Sequence, residues 1–135
     1  MIYIAGPIGR ARACQAFAER LRAHGIRVTS RWHREVGDEA VDPTDELVRR
    51  SILADNLEDL DRSRALVARL DLADEDHRPR ATWGEIGYAL ARGIRVFAVD
   101  ALSVHGRCIF DAHPGIMRVP SEVDAIEILS AWGES

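Results

Sequence analysis

Short apolar segments alternate with helical patterns along almost the whole chain. Each apolar segment is bounded by glycine, proline or polar residues, which is typical of a buried strand. Between these segments, apolar residues recur at the spacing of an amphipathic helix. Helices that alternate with buried strands predict a mostly parallel sheet with right-handed crossovers. We therefore expect an α/β fold, a single-domain (residues 1–135) flavodoxin-like and Rossmann-like three-layer sandwich with about five strands.

The predicted elements can be placed on the sequence. The strands are "MIYIA" (1–5), "IRVTS" (26–30), "ALVARL" (65–70), "IRVFAVD" (94–100) and "GIMRVP" (115–120). The helices run from Ala11 to His24, from Pro43 onwards, after Thr82 and from about Ser121 to Trp132. In such folds ligands bind beyond the carboxyl ends of the strands. The loops expected there are residues 6–12, residues 71–81 and the segment after residue 100.

Composition and charge exclude several classes of function. All 18 basic residues are arginine, so neither a lysine Schiff base nor a P-loop ending in GK[ST] is possible. The formal net charge of −4 argues against nucleic acid polymers as partners. Cys14 and Cys108 have no metal-site or CxxC spacing, which favours reduced thiols. No segment has the pattern of a signal peptide or membrane span, so we expect a cytoplasmic protein without a membrane partner.

Glu85 is the residue whose role decides the function. The sequence Thr82-Trp83-Gly84-Glu85 fits a capping box, in which Glu85 would only hold the end of its helix. The same position also suits a nucleophile, because a helix N-terminus favours a negative charge and the preceding loop emerges at the ligand-binding edge. Gly84 would then allow close approach of a substrate. The four-residue pattern leaves both interpretations open.

Other polar residues are expected at the same edge. Asp71 follows a strand and is either a turn former or a second carboxylate in the cleft of Glu85, as glycosidic chemistry needs. The loop "GPIGRAR" is either a tight turn or, through Arg10 or Arg12, a phosphate site. Trp32 is either a surface on which a base stacks or ordinary packing, and His33 beside it is a further candidate for the cleft. The acidic segment "DLADEDH" (71–77) is a weaker candidate for a metal site, and we expect neither metal nor cofactor.

The motifs together resemble a known family. The segments "YIAGP" (3–7), "DLDRSRALVARLD" (59–71) and "TWGEIGYALARGIRV" (82–96) are similar to the nucleoside 2-deoxyribosyltransferase superfamily, which includes nucleotide N-glycosidases. The most specific piece is E-[IL]-G-x-A-x-x-x-G, which starts at Glu85. The similarity runs from residue 2 to about residue 100 and extends weakly through "IFDAHPGIMRVPSEVDAIEIL" (109–129).

This resemblance implies roles for individual residues. Glu85 aligns with the nucleophile, Asp71 with an acid that positions sugar and nucleophile, and Tyr3 with a tyrosine beside the nucleophile. Gly6, Pro7 and Ile8 match a loop that lines the sugar end of the pocket, and this loop binds the 5′-phosphate in the monophosphate-cleaving relatives. Further substrate contacts are expected from Arg10, Arg12, Trp32, Thr82, Gly84 and His113. The family forms dimers or higher homo-oligomers whose neighbouring subunits often complete the pocket, so the segment "FDAHPG" (110–115) with His113 is either a plain loop or reaches a partner's site.

One motif departs from the family. The transferases commonly carry D-x-G-T before the nucleophile, with the aspartate serving the leaving base, and this chain has Pro79-Arg80-Ala81-Thr82 instead. Asp74, Asp76 or His77 are the acids that can replace it.

Three functions are compatible with these residues. The leading hypothesis is cleavage and transfer at the N-glycosidic bond of a (2-deoxy)nucleoside in nucleoside salvage, by double displacement through Glu85. The alternatives are a nucleoside 5′-monophosphate N-glycosidase, with Arg10 or Arg12 on the phosphate, and a non-catalytic nucleotide-binding domain.

Overall fold

The protein is described by a computed structural model that covers residues 1–35, 45–100 and 107–132. The strands are β1 (Ile2–Ala5), β2 (Ala65–Ala68), β3 (Arg95–Val99) and β4 (Ile116–Val119). They form one sheet in the order β1-β2-β3-β4, with every pair parallel. β1 and β2 are buried along their whole length, which is why their sequences are continuous apolar runs rather than alternating ones.

Five α-helices surround this sheet. They are α1 (Ala11–Ala23), α2 (Trp32–Glu35), α3 (Glu46–Asp61), α4 (Arg80–Ala91) and α5 (Glu122–Ala131). Short 3₁₀ turns occupy Ile8–Arg10, Leu70–Leu72 and Ile109–Ala112. The α/β, flavodoxin-like class expected from the sequence is confirmed. No helix in the described residues is both long and apolar enough to cross a lipid bilayer.

The helices divide between the two faces of the sheet. On one side, Arg20 of α1 and the buried Arg69 both pair with Glu122 of α5. On the other side, the Tyr88 hydroxyl of α4 donates to Asp61 of α3 over 2.7 Å. This arrangement matters for the site, because side chains near the end of one strand can face either pair of helices.

The predicted second strand is reduced to one residue. Val28 forms a single parallel bridge with Ile2, so the described residues give four strands and a bridge instead of five strands. Two backbone hydrogen bonds join this segment to Ile2. The next amide on the same edge of β1, that of Ile4, instead donates to the Ser30 hydroxyl over 3.0 Å. A side chain thus replaces the backbone acceptor, and the strand ends there.

Two other boundaries differ from the sequence predictions. β2 ends at Ala68 instead of continuing to residue 70, because the 3₁₀ turn Leu70–Leu72 begins. The helix expected from Pro43 starts at Glu46, with the Asp45 carboxylate accepting from the amides of Leu47 and Val48, while Pro43 lies outside the described residues.

Candidate active site

Glu85 and Tyr3 are joined inside the protein. Tyr3 lies in the middle of β1 and is fully buried, and its hydroxyl donates a hydrogen bond to Glu85 Oε2. Glu85 lies in the second turn of α4 and is partly buried. The two residues are 82 positions apart in the sequence, so the docking of α4 on the sheet creates this pair.

The predicted capping box is wrong. α4 starts at Arg80, three residues earlier than the box requires, and Pro79 precedes it without a side-chain cap. Thr82 is therefore already within the helix, and its buried hydroxyl has no hydrogen-bond partner among the described residues. Since Glu85 is bonded to Tyr3 and does not reach back to Thr82, capping does not explain its position.

Burial sets the protonation of the Glu85 carboxyl. Desolvation raises the pKa of Glu85 to about 7, although the hydrogen bond from Tyr3 favours the charged form and lowers it. Burial, together with the negative charge of Glu85, raises the pKa of Tyr3 above its ordinary value. Tyr3 consequently stays a neutral donor, and Glu85 changes charge near neutrality. A carboxyl so tuned is typical of catalytic sites.

A cavity of about 250 Å³ opens beside Glu85 at the carboxyl end of β1. This is the switch point of the sheet, because the segment at Val28 pairs with one edge of β1 and β2 pairs with the other edge. Six residues predicted for the site line it: Gly6, Pro7, Ile8, Trp32, Thr82 and Glu85. The structure therefore brings together most of the proposed sugar-binding loop and the proposed nucleophile.

Two walls of this cavity are held rigidly. The indole N–H of Trp32 donates to the carbonyl of Ile4 over 2.8 Å, which fixes the ring over the end of β1. At Gly6, a Cβ atom would lie 2.8 Å from Cys14 Sγ, so only glycine fits between the loop and α1. His33, also considered for the cleft, is instead buried between Ser30 and Gln15, and burial lowers its pKa to about 4.

Asp71 does not point into the Glu85 cavity, contrary to the prediction. The carboxylate accepts two hydrogen bonds from the preceding Arg69, at 2.9 and 2.8 Å. Arg69 is itself buried against the ring of Phe17 in α1 and pairs with Glu122 of α5. A buried guanidinium needs carboxylate partners, so it holds Asp71 on the α1–α5 side of the sheet.

The other predicted residues lie outside the cavity. Arg10 pairs with Asp74, Arg12 is exposed on α1, and Gly84 faces open space on the exposed side of α4. His113 follows the 3₁₀ turn Ile109–Ala112, is exposed, and accepts from the amide of Gly115. None of these four residues lines the cavity that Glu85 lines.

The acidic loop does not supply the missing acid. Hydrogen bonds from His77 and Arg10 hold the pKa of Asp74 well below its usual range, so this carboxyl is a poor proton donor near neutrality. Asp74, Asp76 and His77 are absent from the cavity lining. Within residues 1–35, 45–100 and 107–132, no three His, Cys, Asp or Glu side chains are grouped as metal ligands would be.

Sequence reasoning missed five residues of the cavity lining. They are Ile52, Asn56, Arg78, Arg80 and Ala81. Ile52 and Asn56 share one face of α3 at i and i+4, a spacing that was visible in the sequence. Arg78 and Arg80 flank the proline that stands where the family carries its aspartate, but nothing in the sequence indicates that their side chains line the cavity.

The fold and the site define a class of protein. A parallel α/β sandwich with a concave site at its switch point, containing one partly buried carboxyl, is typical of proteins that bind a small molecule. A sequence model described as nucleoside 2-deoxyribosyltransferase matches residues 2–116. The chain belongs to the nucleoside 2-deoxyribosyltransferase family, whose members act on small nucleoside substrates at the N-glycosidic bond. None of the curated proteins compared with the chain gave a match.

Proposed function

We propose that the protein cleaves the N-glycosidic bond of a (2-deoxy)nucleoside and transfers the sugar through an ester on Glu85. The observation that carries this proposal is the hydrogen-bonded Tyr3–Glu85 pair beside a cavity at the switch point of the sheet. A capping role, the main alternative for Glu85, is removed by the position at which α4 begins.

The first step is attack by the carboxylate. Glu85 Oε1 carries no hydrogen bond from the described residues, whereas Oε2 accepts from Tyr3, so Oε1 is the oxygen available to bond to the anomeric carbon. As this ester bond forms, the bond from the anomeric carbon to the base nitrogen breaks and its electron pair leaves with the base. Tyr3 keeps the carboxylate oriented and favours the ionised form that attacks.

The second step regenerates the enzyme. A nitrogen of an acceptor base, or the oxygen of water, attacks the anomeric carbon, and the ester bond breaks so that Glu85 leaves as a carboxylate. The acceptor loses its proton to solvent or to a base. Transfer predominates over hydrolysis where the site excludes water while the intermediate waits. The apolar surfaces of Pro7, Ile8 and Trp32 favour such exclusion.

The test is a comparison of the wild type with Glu85→Gln. Both are incubated with nucleosides and 5′-monophosphates, with and without an acceptor base, and the products are separated by chromatography. We expect base exchange from the wild type, a loss of at least about 10³-fold in the variant, and an intact-mass increase of one sugar on the wild type. Ligand binding without turnover in both proteins would favour a non-catalytic nucleotide-binding domain.

A hydrolase of nucleoside 5′-monophosphates is the second candidate. The arginines proposed for it are not placed for this role, because Arg10 pairs with Asp74 and Arg12 is exposed outside the cavity. Arg78 and Arg80, however, do line the Glu85 cavity, which favours an anionic group on the substrate.

We propose that the protein acts in the cytoplasm and that it forms a homo-oligomer, as the resemblance implies. Supporting an oligomer, α3 exposes Leu47 and Leu53, and the turn before His113 exposes Ile109 and Phe110. We propose that His113 approaches a partner's site through that turn. Size-exclusion chromatography with light scattering tests the assembly, and loss of activity in His113→Ala at unchanged subunit number would support the shared site.

A further inference from the structure

His33 lies behind the aromatic wall of the Glu85 cavity and not in the cavity itself. Its ring meets that of Trp32 edge to face, with the ring centroids 5.4 Å apart and the ring planes at 76°. Trp32 lines the cavity, whereas His33 is outside the lining and is only 2% exposed. A histidine in this position does not reach a ligand, so any influence on the reaction acts through Trp32 and the groups that hold it.

The hydrogen bonds of His33 define which ring nitrogen carries the proton. Nδ1 lies 2.7 Å from Oε1 of Gln15 in α1, and Nε2 lies 2.7 Å from the Ser30 hydroxyl. The amide nitrogen of Gln15 donates to Glu19 over 3.4 Å, so its oxygen is the atom that faces the ring. Because a carbonyl oxygen can only accept, Nδ1 carries the proton and donates. Burial lowers the pKa of His33 to about 4, so near neutrality Nε2 has no proton and accepts from Ser30.

The Ser30 hydroxyl connects His33 to β1. A hydroxyl has one proton to donate and two lone pairs with which to accept. Since its proton is donated to His33 Nε2, a lone pair of the oxygen faces the amide of Ile4, which donates over 3.0 Å. The carbonyl of the same Ile4 accepts from the Trp32 indole over 2.8 Å. A continuous chain of contacts therefore runs from His33 through Ser30 and Ile4 to the Trp32 ring.

The polar groups of this chain of contacts are buried, so each of them depends on its partner. Ser30 and Trp32 are almost fully buried, and Ile4 is completely buried. Leaving a buried donor or acceptor unsatisfied costs more free energy than the hydrogen bond itself contributes. Without the Nε2 acceptor, the Ser30 hydroxyl has to rotate or recruit water. Either change disturbs the oxygen that accepts from the Ile4 amide, beside the carbonyl that anchors Trp32.

We propose that His33 is a positioning residue, which holds Trp32 at the wall of the Glu85 cavity through Ser30 and Ile4. The inference rests on the proposed function, because the position of the wall affects a reaction only when a substrate lies against it. Trp32 contacts the substrate but supplies none of the reacting atoms, so a displaced ring weakens substrate binding and leaves the chemical step intact. The Glu85 carboxylate bonds to Tyr3, so its titration is independent of His33.

Two substitutions of similar size separate the roles of the two ring nitrogens. In His33→Gln, the side-chain amide reaches the place of Nε2 and its oxygen accepts from Ser30, whereas the bond to Gln15 is lost. In His33→Asn, the shorter amide reaches only the place of Nδ1, so it keeps the bond to Gln15 and leaves Ser30 without its acceptor. Both variants replace the ring with a buried amide, so each is the matched control of the other. Circular dichroism and thermal melting check that both are folded.

The first measurement follows the anchor of Trp32 without any turnover. The indole N–H groups of the three tryptophans give separate signals in a nitrogen-15 NMR spectrum, and Trp32→Phe identifies the signal of Trp32. The buried bond to Ile4 protects this N–H from exchange with solvent deuterium. We expect this exchange to be at least about 10-fold faster in His33→Asn and in Ser30→Ala than in the wild type. His33→Gln should keep the protection, and the other two indole signals should not change in any variant.

The second measurement is the pH dependence of kcat and KM for base release. His33→Asn should raise KM by about 10-fold and change kcat by less than about 2-fold. The midpoint of its pH profile should stay at the Glu85 pKa of about 7. His33→Gln should restore KM to within about 2-fold of the wild-type value. A loss of stability alone would reduce the amount of active protein, and thus the apparent kcat, without changing KM.

The outcomes separate this inference from the proposed function. Unchanged exchange at Trp32 in His33→Asn overturns the positioning role. Equal effects of His33→Asn and His33→Gln also overturn it, because the packing of the ring and not the acceptor at Nε2 would then be responsible. Faster exchange with an unchanged KM overturns the link between the wall and the substrate. If the exchange rates change as expected but the wild type releases no base, the positioning role stands and the proposed function fails.

Discussion

Replacing Tyr3 with phenylalanine isolates the effect of one hydrogen bond on the proposed nucleophile. Tyr3 is fully buried, and its ring would stay in place in Tyr3→Phe while the donor to Glu85 Oε2 is lost. That donor is the group that lowers the pKa of Glu85 against the effect of burial. Without it, the neutral carboxylic acid is favoured, and the pKa of Glu85 rises above about 7.

The size of the shift follows from the energy of such a bond. A hydrogen bond to a charged group contributes about 1.5–3 kcal/mol, and 1.36 kcal/mol corresponds to one pKa unit, so the rise is roughly one to two units. At neutral pH the ionised fraction of Glu85 would fall from about one half to between roughly one tenth and one hundredth. Because only the ionised form attacks, kcat/KM at neutral pH should fall about 5- to 50-fold and recover at alkaline pH.

The assay is the pH dependence of kcat/KM for base release. Wild type should rise to a plateau above the pKa of about 7, and Tyr3→Phe should show the same shape displaced to higher pH. Tyr88→Phe is the matched control: the only other tyrosine in the chain bonds to Asp61 and should leave the profile unchanged. A loss of equal size at every pH, with an unshifted midpoint, would refute the reasoning.

Three further predictions concern stability and the walls of the site. The unfolding free energy of wild type, measured relative to Glu85→Gln, should decrease by up to about 3 kcal/mol as the pH rises from about 4.5 to about 7. The reason is that the Glu85 carboxyl keeps its proton over this range in the folded protein and releases it in the unfolded chain. Denaturant titrations of both proteins at the two pH values check this, and a difference that does not change with pH contradicts it. Asp71→Asn should lower the unfolding free energy by about 2 kcal/mol with little change in kcat/KM, because the buried arginine beside it loses a carboxylate; the reverse outcome would give Asp71 the catalytic role implied by resemblance. Gly6→Ala should lower kcat/KM at least about 10-fold, since its Cβ meets Cys14 Sγ at 2.8 Å. A Cβ at Gly84 would have nothing within 4 Å, so Gly84→Ala should leave both kcat/KM and the melting temperature unchanged.

The fold was predictable because its signals are local. Continuous apolar runs such as that of β1, each followed by an amphipathic helix, are strong evidence for parallel strands. The shortened strand at Val28 was not predictable, because it depends on the Ser30 hydroxyl accepting from Ile4, a contact between segments 26 residues apart. A sequence pattern indicates which conformation a segment prefers, whereas contacts with the neighbouring strand determine where the strand pairing ends.

The sequence predicted which residues belong to the site better than it predicted which groups those residues contact. Family resemblance pointed to Glu85 and Tyr3, and the structure joins them. Asp71 was misplaced because the preceding Arg69 is buried, and the need of that guanidinium for a partner decides which side of the sheet the aspartate faces. Charged loops are usually solvated, so the sequence alone gave no reason to place Arg80 against the nucleophile.

The early end of the pairing beside β1 shapes the site. Had the segment after Val28 continued as a regular strand, it would have run on along the edge of the sheet. Instead, Ser30 satisfies the amide of Ile4 with its side chain, and the chain bends into α2 across the carboxyl end of β1. Trp32 then anchors on the very next free acceptor, the carbonyl of Ile4. Both backbone groups of Ile4 are thus hydrogen-bonded to side chains, and Trp32 forms the aromatic wall of the cavity where the sheet edge is incomplete.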